Sequence, residues 1–237
     1  MSGEKYNSPN VTRAVVGILI ALTSAPTAQP GVAPARDELA RAQAAVLGRH
    51  APDGLRSLRL KGRLRVGISR DEAVDGLVDV RVLLPDRYLR VDTINGTERR
   101  SGLAGRTLLT PKGDVNAERA GFARLMLGLA AVIPAEPKLM FESTGESSFA
   151  DTTAIDVSGP GFAARMVFDS ASHIPLRLVY DSRYGAGTVM SFANRRDVDG
   201  VQLPSRVTTL IADRVLETLM FDDMQVNPDL QDTDFRR

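Results

Sequence analysis

His50 and His173 are the only histidines in the 237-residue chain, and they limit the chemistry it can carry. A zinc site of the HExxH kind, or any multi-histidine cluster, needs several imidazoles at fixed spacing, which two isolated ones do not supply. His173 lies in "DSASHIP" beside Asp169 and Ser170, the three residue types of a hydrolytic triad. Triads draw their members from separate elements so that each can be aimed at the next, and these three are too local. Nothing matches the GxSxG nucleophile elbow, and no glycine-rich loop ends in Lys-Ser/Thr. Gly159-Pro160-Gly161 separates two strand-like runs instead of opening a helix, so it offers no helix dipole to a phosphate.

The remaining reactive types are equally unsupportive of catalysis. Cysteine is absent, which removes thiol nucleophiles, thiolate ligands, disulfides and the acylated N-terminal residue of a bacterial lipoprotein. Glu142, Glu146, Asp151 and Asp156 supply carboxylates, but a glycosidase pair belongs beside aromatic sugar platforms, and aromatic residues make up only 5% with no tryptophan. Asp222-Asp223 lacks the DxDxDG spacing of a calcium loop. The expectation is a protein that is not an enzyme and takes no cofactor or metal. A net charge of +1 without a polybasic run, together with the few rings, speaks against a nucleic-acid partner.

One charged cluster stands out in "NRRDVDGVQLPSR", residues 194–206. Asp199-Gly200 is a two-residue hairpin signal, since both central positions of a type I′ turn require positive φ. Its flanks alternate as strands. Arg195, Arg196, Asp197, Asp199 and Arg206 are therefore expected to be the solvated surface of a hairpin, with Pro204 at an edge or bulge because it cannot donate to a ladder.

The elements that must position any site follow from hydrophobic period. Residues 1–35 place Lys5 and Arg13 before "AVVGILIAL" and then a small-residue, turn-forming stretch, the layout of a secretory signal peptide followed by a linker. A short membrane anchor is the alternative. Removal of this segment would leave a neutral chain in an extracytoplasmic compartment such as the periplasm. "ARDELARAQAAVLGRH" (35–50) spaces Leu39, Ala42 and Val46 as a narrow helical stripe, with Gly48 as a stop. Such a stripe suits a helix lying on a sheet.

Period two then takes over. Leu58, Leu60, Leu64, Val66 and Ile68 alternate with Arg59, Lys61, Arg63 and Arg65, and Val78, Val80 and Val82 alternate with Asp79 and Arg81. One apolar and one charged face mark half-buried antiparallel strands, the basic ladder pairing with acids on its neighbour. "RDEAVDG" (70–76) is expected to be the turn between them, with further turns at Pro85-Asp86 and Asn95-Gly96 and a looser stretch through Pro111. Val-Asp-Gly at 74–76 and at 198–200 are taken as two independent hairpin turns. "NAERAGFARLMLGLAAVI" (116–133) returns to period 3.6: Phe122, Leu125, Met126, Leu129 and Ile133 form one stripe, capped by Asn116 and ended by Pro134. Gly121 and Gly128 each weaken it by roughly 1 kcal/mol relative to Ala. It is either a movable lid or a fixed core helix.

Strands are expected at 138–148, 153–158, 162–169, 175–181, 187–196, 201–211 and 214–226, joined by short turns into a meander. Their inward residues, with those of the first strands and the helix, define a candidate apolar cavity. From the early strands it takes Leu64, Val66, Val80 and Val82, and from the helix Phe122, Met126 and Leu129. From the later strands it takes Phe141, Phe162, Met166, Phe168, Leu178, Met190 and Phe192. No linker or low-complexity tract divides residues 36–237.

The order of elements, and above all "FANRRDVDGVQLPSRV" followed by "FDDMQVNPDLQDTDF" with its Val226-Asn227-Pro228, resembles the bacterial outer-membrane lipoprotein-sorting proteins of the LolA/LolB-like superfamily. The resemblance spans 36–237 and implies a mainly β fold with a few helices: a curved antiparallel sheet, or incomplete barrel, covered by helices. It implies a carrier or sensor for a lipid or lipoprotein acyl chain, with an inner- or outer-membrane protein as a further partner. The competing expectation is an extracytoplasmic protein-interaction module with a filled core, binding through an exposed strand edge and without a lipid ligand.

Overall fold

The computed structural model describes residues 32–50, 54–69, 72–110, 113–134, 140–142, 151–159, 161–181 and 187–236. Residues 1–31 of the signal-like segment and most of the 138–148 strand expectation lie outside these residues, while 32–35, expected to be linker, begin the first helix. Helix α1 (Val32–Leu47) runs into a 3-10 turn at Gly48–His50, followed by β1 (Ser57–Gly67), β2 (Ala73–Leu83), β3 (Arg87–Ile94), β4 (Thr97–Ala104) and the two-residue β5 (Thr107–Leu108). Helix α2 (Val115–Ala130) separates these from β6 (Met140–Glu142), β7 (Thr152–Gly159), β8 (Phe162–Asp169), β9 (Pro175–Asp181), β10 (Gly187–Val198), β11 (Val201–Ile211) and β12 (Arg214–Val226). A 3-10 turn at Asp232–Phe235 follows.

All twelve strands form one antiparallel sheet in the order β5-β4-β3-β2-β1-β12-β11-β10-β9-β8-β7-β6. Two meanders are thus sutured where β1 meets β12, and the edges β5 and β6 do not pair. The sheet is an open half-barrel, as the alternation and the resemblance both predict. Because β5 and β6 sit at opposite edges, the chain between them must cross the sheet, and it does so as α2, which touches β4 and β5 on one side and β8 to β11 on the other.

Alternation decides which face meets the helices. Leu58, Leu60 and Leu64 are fully buried beneath them, while Arg59 on the opposite face meets Asp79 at 3.0 Å and Arg63 meets Asp222 at 3.3 Å. Burial pulls the Asp79 carboxyl up, but hydrogen bonds from Arg59 and Arg81 outweigh it and hold the group below its ordinary pKa. The basic ladder is an ion-paired outer face, as expected. Ile68 departs from its stripe: it lies past the end of β1 and is 61% exposed. On the outer face a small second core of Leu89, Leu109, Leu230 and Phe235 pins the C-terminal turn to the sheet.

Several local expectations change. The first Val-Asp-Gly, at 74–76, is not a turn but part of β2, paired with β1 from Ala73 onward, so the β1–β2 connection is shorter than 70–76. Asn95-Gly96 and Asp199-Gly200 do turn with positive φ (50 and 75°, 53 and 89°). The stretch after Gly96 is ordered as β4 and β5. Helix α2 is capped by Asp114, whose carboxylate accepts from the Asn116 amide at 2.9 Å, and not by Asn116. It ends at Ala131, left-handed at φ 53°, before Pro134 is reached.

The Val-Asn-Pro signature proves structural. Asn227 (φ 53°) accepts from the amides of Arg56 (2.7 Å) and Ser57 (3.2 Å) and donates to the Gly54 carbonyl (2.7 Å), tying the end of β12 to the entry of β1. Pro204 lies in β11, an interior strand and not an edge. It pairs with Arg195 next to Asn194, whose φ of 55° breaks the regular ladder and whose carbonyl is taken by the Ser205 hydroxyl at 2.7 Å.

Candidate functional site

The concave face and α2 bring the expected cavity residues together. Leu64, Val80, Val82, Phe122, Met126, Leu129, Phe162, Met166, Phe168, Leu178, Met190 and Phe192 all belong to one buried cluster, with Val66 packed half-buried against it. Phe141 lies in β6, opposite Val157, but its side chain is outside what is described. In this arrangement the set is filled by contact with the helices. Tyr88 of β3 stacks on Phe122 of α2 at 5.4 Å between ring centroids, and Gln43 of α1 donates to the Ala131 carbonyl at 3.0 Å.

Gly128 explains how closely α2 approaches the sheet. A Cβ built there would fall 1.7 Å from Cζ of Phe192 and 2.2 Å from both Cε atoms, so the ring occupies the space that any side chain would need. The glycine that loosens the helix intrinsically is the one that lets it dock. Gly121, one face away, has nothing within 4 Å of its virtual Cβ.

Arg195 secures the same end of the helix and corrects the expectation of a fully solvated charge cluster. Its guanidinium donates to the carbonyls of Gly128 (3.0 Å) and Leu129 (3.2 Å) in the last turn of α2, and to Pro175 (3.0 Å) and Gln202 (2.5 Å) on the sheet. A cation on the final carbonyls complements the negative end of a helix dipole. Burial pushes the guanidinium down to about 10, still charged at neutral pH. Asp199, by contrast, stays at the hairpin tip, where its carbonyl meets His50 Nε2 at 2.9 Å and the Arg49 guanidinium at 3.3 Å. Asp197 also remains at the surface, accepting from the Gly200 amide and the Gln202 side chain, both at 2.9 Å.

At the other end of α2 the packing opens. A cavity of about 210 Å³ lies between the helix and the sheet, walled by Val80, Leu125, Met190, Leu216 and Leu219. Its polar lining comprises Tyr88, Arg90, Glu118, Arg124, Tyr180, Thr209 and Glu217. Arg90 is fully engaged: it binds Glu217 through two nitrogens (2.7 and 3.2 Å) and Asp92 at 2.8 Å. Burial alone would lower its pKa, but Glu217, with Asp92, outweighs that and raises it. Burial raises the phenol of Tyr88 well above its usual range, and raises the Glu118 carboxyl and the Tyr180 phenol more moderately.

Among the described residues Arg124 has no such partner. Its guanidinium lies 4.1 Å from the Tyr180 ring centroid and 5.5 Å from that of Phe162, and its buried Nε makes no hydrogen bond. Sequence reasoning missed both arginines. Arg124 left one signal, as the single charge within the apolar run 120–133. Arg195 left none, because the distortion at Asn194 that accompanies its burial is not coded by period two.

A depression of about 350 Å³ borders α2 at Leu103, Arg119, Phe122 and Pro134, and two larger ones lie away from the helix. One of about 670 Å³ on the outer face is lined by Lys61, Arg63, Asp79, Arg81 and Asp222, and much of this charge is already paired across the strands. The other, about 860 Å³ and wide to solvent, surrounds the hairpin ends near Arg65, Arg206 and Arg214. The first also has Leu77, Val78, Leu89 and Val91 in its lining, and neither is lined by residues of α1 or α2. The imagined triad does not form: Asp169 accepts from Ser172, and His173 Nδ1 instead meets the buried Glu38 of α1 at 2.9 Å. Among the described residues no group of His, Asp and Glu is arranged to hold a metal ion, and no helix is long and apolar enough to cross a membrane.

The fold is LolA-like. The chain is similar to the crystal structure of a LolA superfamily protein from Nitrosomonas europaea, with a TM-score of 0.61 at 14% identity over 86% of this chain and 97% of that one. A candidate outer membrane lipoprotein-sorting protein domain from Vibrio parahaemolyticus matches with a TM-score of 0.53 at 13% identity, over 86% and 95%. A DUF1329 family protein from Desulfovibrio piger matches with a TM-score of 0.59 at 11% identity, over 87% and 98%. No protein-family model and no curated protein matches the sequence. The likeness carried by the hairpin and Val-Asn-Pro signatures is therefore one of fold.

Proposed function

We propose that the protein is an exported, non-enzymatic carrier or sensor that holds the acyl chain of a lipid or lipoprotein between the concave sheet and α2. The observation that carries this reading is the partial cavity under the N-terminal half of α2, continuous with a large apolar core and opening beside half-exposed Leu216. At about 210 Å³ it is smaller than the usual 300–1,000 Å³ of ligand sites, so a full chain requires α2 to move. The attachments favour one direction of movement. The C-terminal end of α2 is held by Arg195, Gln43 and the Phe192 contact, whereas its first turn is largely exposed. The signal-like residues 1–35 support export, and the names of the fold relatives support a role near lipoprotein sorting; a membrane-protein partner is part of the same proposal.

The test is native mass spectrometry of protein purified from its own envelope, together with titration of a fluorescent acyl probe. Co-purifying lipid is expected, and Leu216→Asp, a change at an exposed position, should weaken probe binding at least tenfold without altering the thermal melt. A protein that carries no lipid, binds no probe and recovers one stoichiometric membrane protein in a pull-down would replace this reading with that of an interaction module.

A further inference from the structure

Arg90 and Arg124 line the same cavity and are treated differently by the fold. Arg90 has two carboxylates, Glu217 and Asp92, within hydrogen-bond distance. Among the described residues Arg124 has no carboxylate and no hydrogen-bond acceptor, only the faces of Tyr180 and Phe162. The ring faces attract the cation but take few of its N–H groups, and partial burial holds the guanidinium below its ordinary pKa. A stacked, half-buried cation with unused N–H groups beside an apolar wall lacks one partner, an anion delivered together with an apolar body.

We propose that Arg124 is the head-group site of the cavity, binding the single anionic group of an amphiphile whose chain lies along Val80, Leu125, Met190 and Leu219. This deepens the acyl-carrier reading and rests on it. The planar guanidinium presents a fork that matches a carboxylate or a phosphate monoester, and stacking on Tyr180 fixes its plane. Glu217 does not compete, being held by Arg90. A neutral ester or the diacylglyceryl group of a lipoprotein would leave Arg124 unanswered, so the cargo of the acyl-carrier reading narrows from lipid or lipoprotein to a free anionic lipid.

The experiment uses the full chain, a dansyl-labelled undecanoic acid, and the methyl ester of the same probe. Wild-type protein is expected to bind the acid at least tenfold more tightly than the ester. Arg124→Gln should abolish that preference while leaving ester affinity and the thermal melt within error, and Arg124→Lys, which keeps a cation, should restore part of it. Competition by oleic acid and by lysophosphatidic acid then separates a carboxylate head from a phosphate head. Equal binding of acid and ester by the wild type, or an equal loss of both in Arg124→Gln, overturns the head-group assignment and leaves the acyl carrier standing. Absence of binding by either probe removes the carrier reading and this one with it.

Discussion

The docking of α2 can be tested by making the same substitution at two points of one helix. Gly121→Ala and Gly128→Ala both replace glycine in a helix interior, and propensity alone predicts a gain of about 1 kcal/mol for each. At Gly121 nothing lies within 4 Å of the new methyl, so the gain should appear in full. At Gly128 the methyl would fall 1.7 Å from Cζ of Phe192, where carbon atoms at rest stand about 3.5–4.0 Å apart. The helix and ring must separate by about 2 Å, the upper end of overpacking, for which about 3 kcal/mol is representative. Set against the propensity gain, Gly128→Ala should destabilise by about 2 kcal/mol.

At about 2–4 °C per kcal/mol for a chain of this size, the melting temperature should rise by about 2–4 °C in Gly121→Ala and fall by about 4–8 °C in Gly128→Ala. Thermal and urea unfolding followed by circular dichroism measure both. A Phe192→Ala background removes the obstacle, at a cost of about 3–5 kcal/mol of its own, and there Gly128→Ala should become neutral or stabilising. If Gly128→Ala raised the melting temperature as Gly121→Ala does, α2 would not rest on Phe192, and the closed arrangement of the site would be wrong.

Other consequences follow from single residues. Asn227→Ala removes the one oxygen that accepts from two amides, and one donor, and places alanine at positive φ, so stability should fall by about 2–4 kcal/mol by urea titration, with acyl-probe binding unchanged. Arg195→Met strips four carbonyls of their donor and should cost about 2–3 kcal/mol, with faster amide exchange concentrated at residues 126–131. Burial holds the Glu118 carboxyl above its ordinary pKa, so the folded state gains stability as pH falls through that raised value; Glu118→Gln should stabilise at neutral pH and flatten this rise. Asp79 has the opposite sign: its contribution is present above the unfolded pKa near 3.8 and is lost as pH falls through the lowered folded value, so Asp79→Asn should flatten the acid limb.

What was legible in the sequence was whatever depends on short-range period. Leu58, Leu60 and Leu64 alternating with arginines specified both faces of β1, and Asn95-Gly96 and Asp199-Gly200 specified turns because few other residues adopt positive φ. Val74-Asp75-Gly76 misled for a related reason: Gly76 is there because Thr93 comes within 2.6 Å of where a Cβ would be, a close approach of strands and not a turn. The inner set from Leu64 to Phe192 was legible as a face, but its occupancy was not. Whether that face encloses a cavity or meets a helix depends on α2 crossing from the β5 edge to the β6 edge, a long-range property of the sheet order.

The same crossing gives the site its polarity. A helix spanning an open half-barrel can be packed evenly along its length, in which case it is core, or tightly at one end only, in which case it can swing. Here the three devices that hold it, Gly128 against Phe192, Arg195 on the last carbonyls and Gln43 on Ala131, all act within its final turn or just after it. Opposite them the first turn is exposed, the cavity begins under Glu118 and Gly121, and the one unpaired cation described at the site, Arg124, faces that space. Fixed lid and movable lid are therefore not alternatives for this helix as a whole. Its C-terminal half carries most of the attachments, while Ala120 and Phe122 in its N-terminal half are buried as well, so the proposed opening has to part the Tyr88–Phe122 stack.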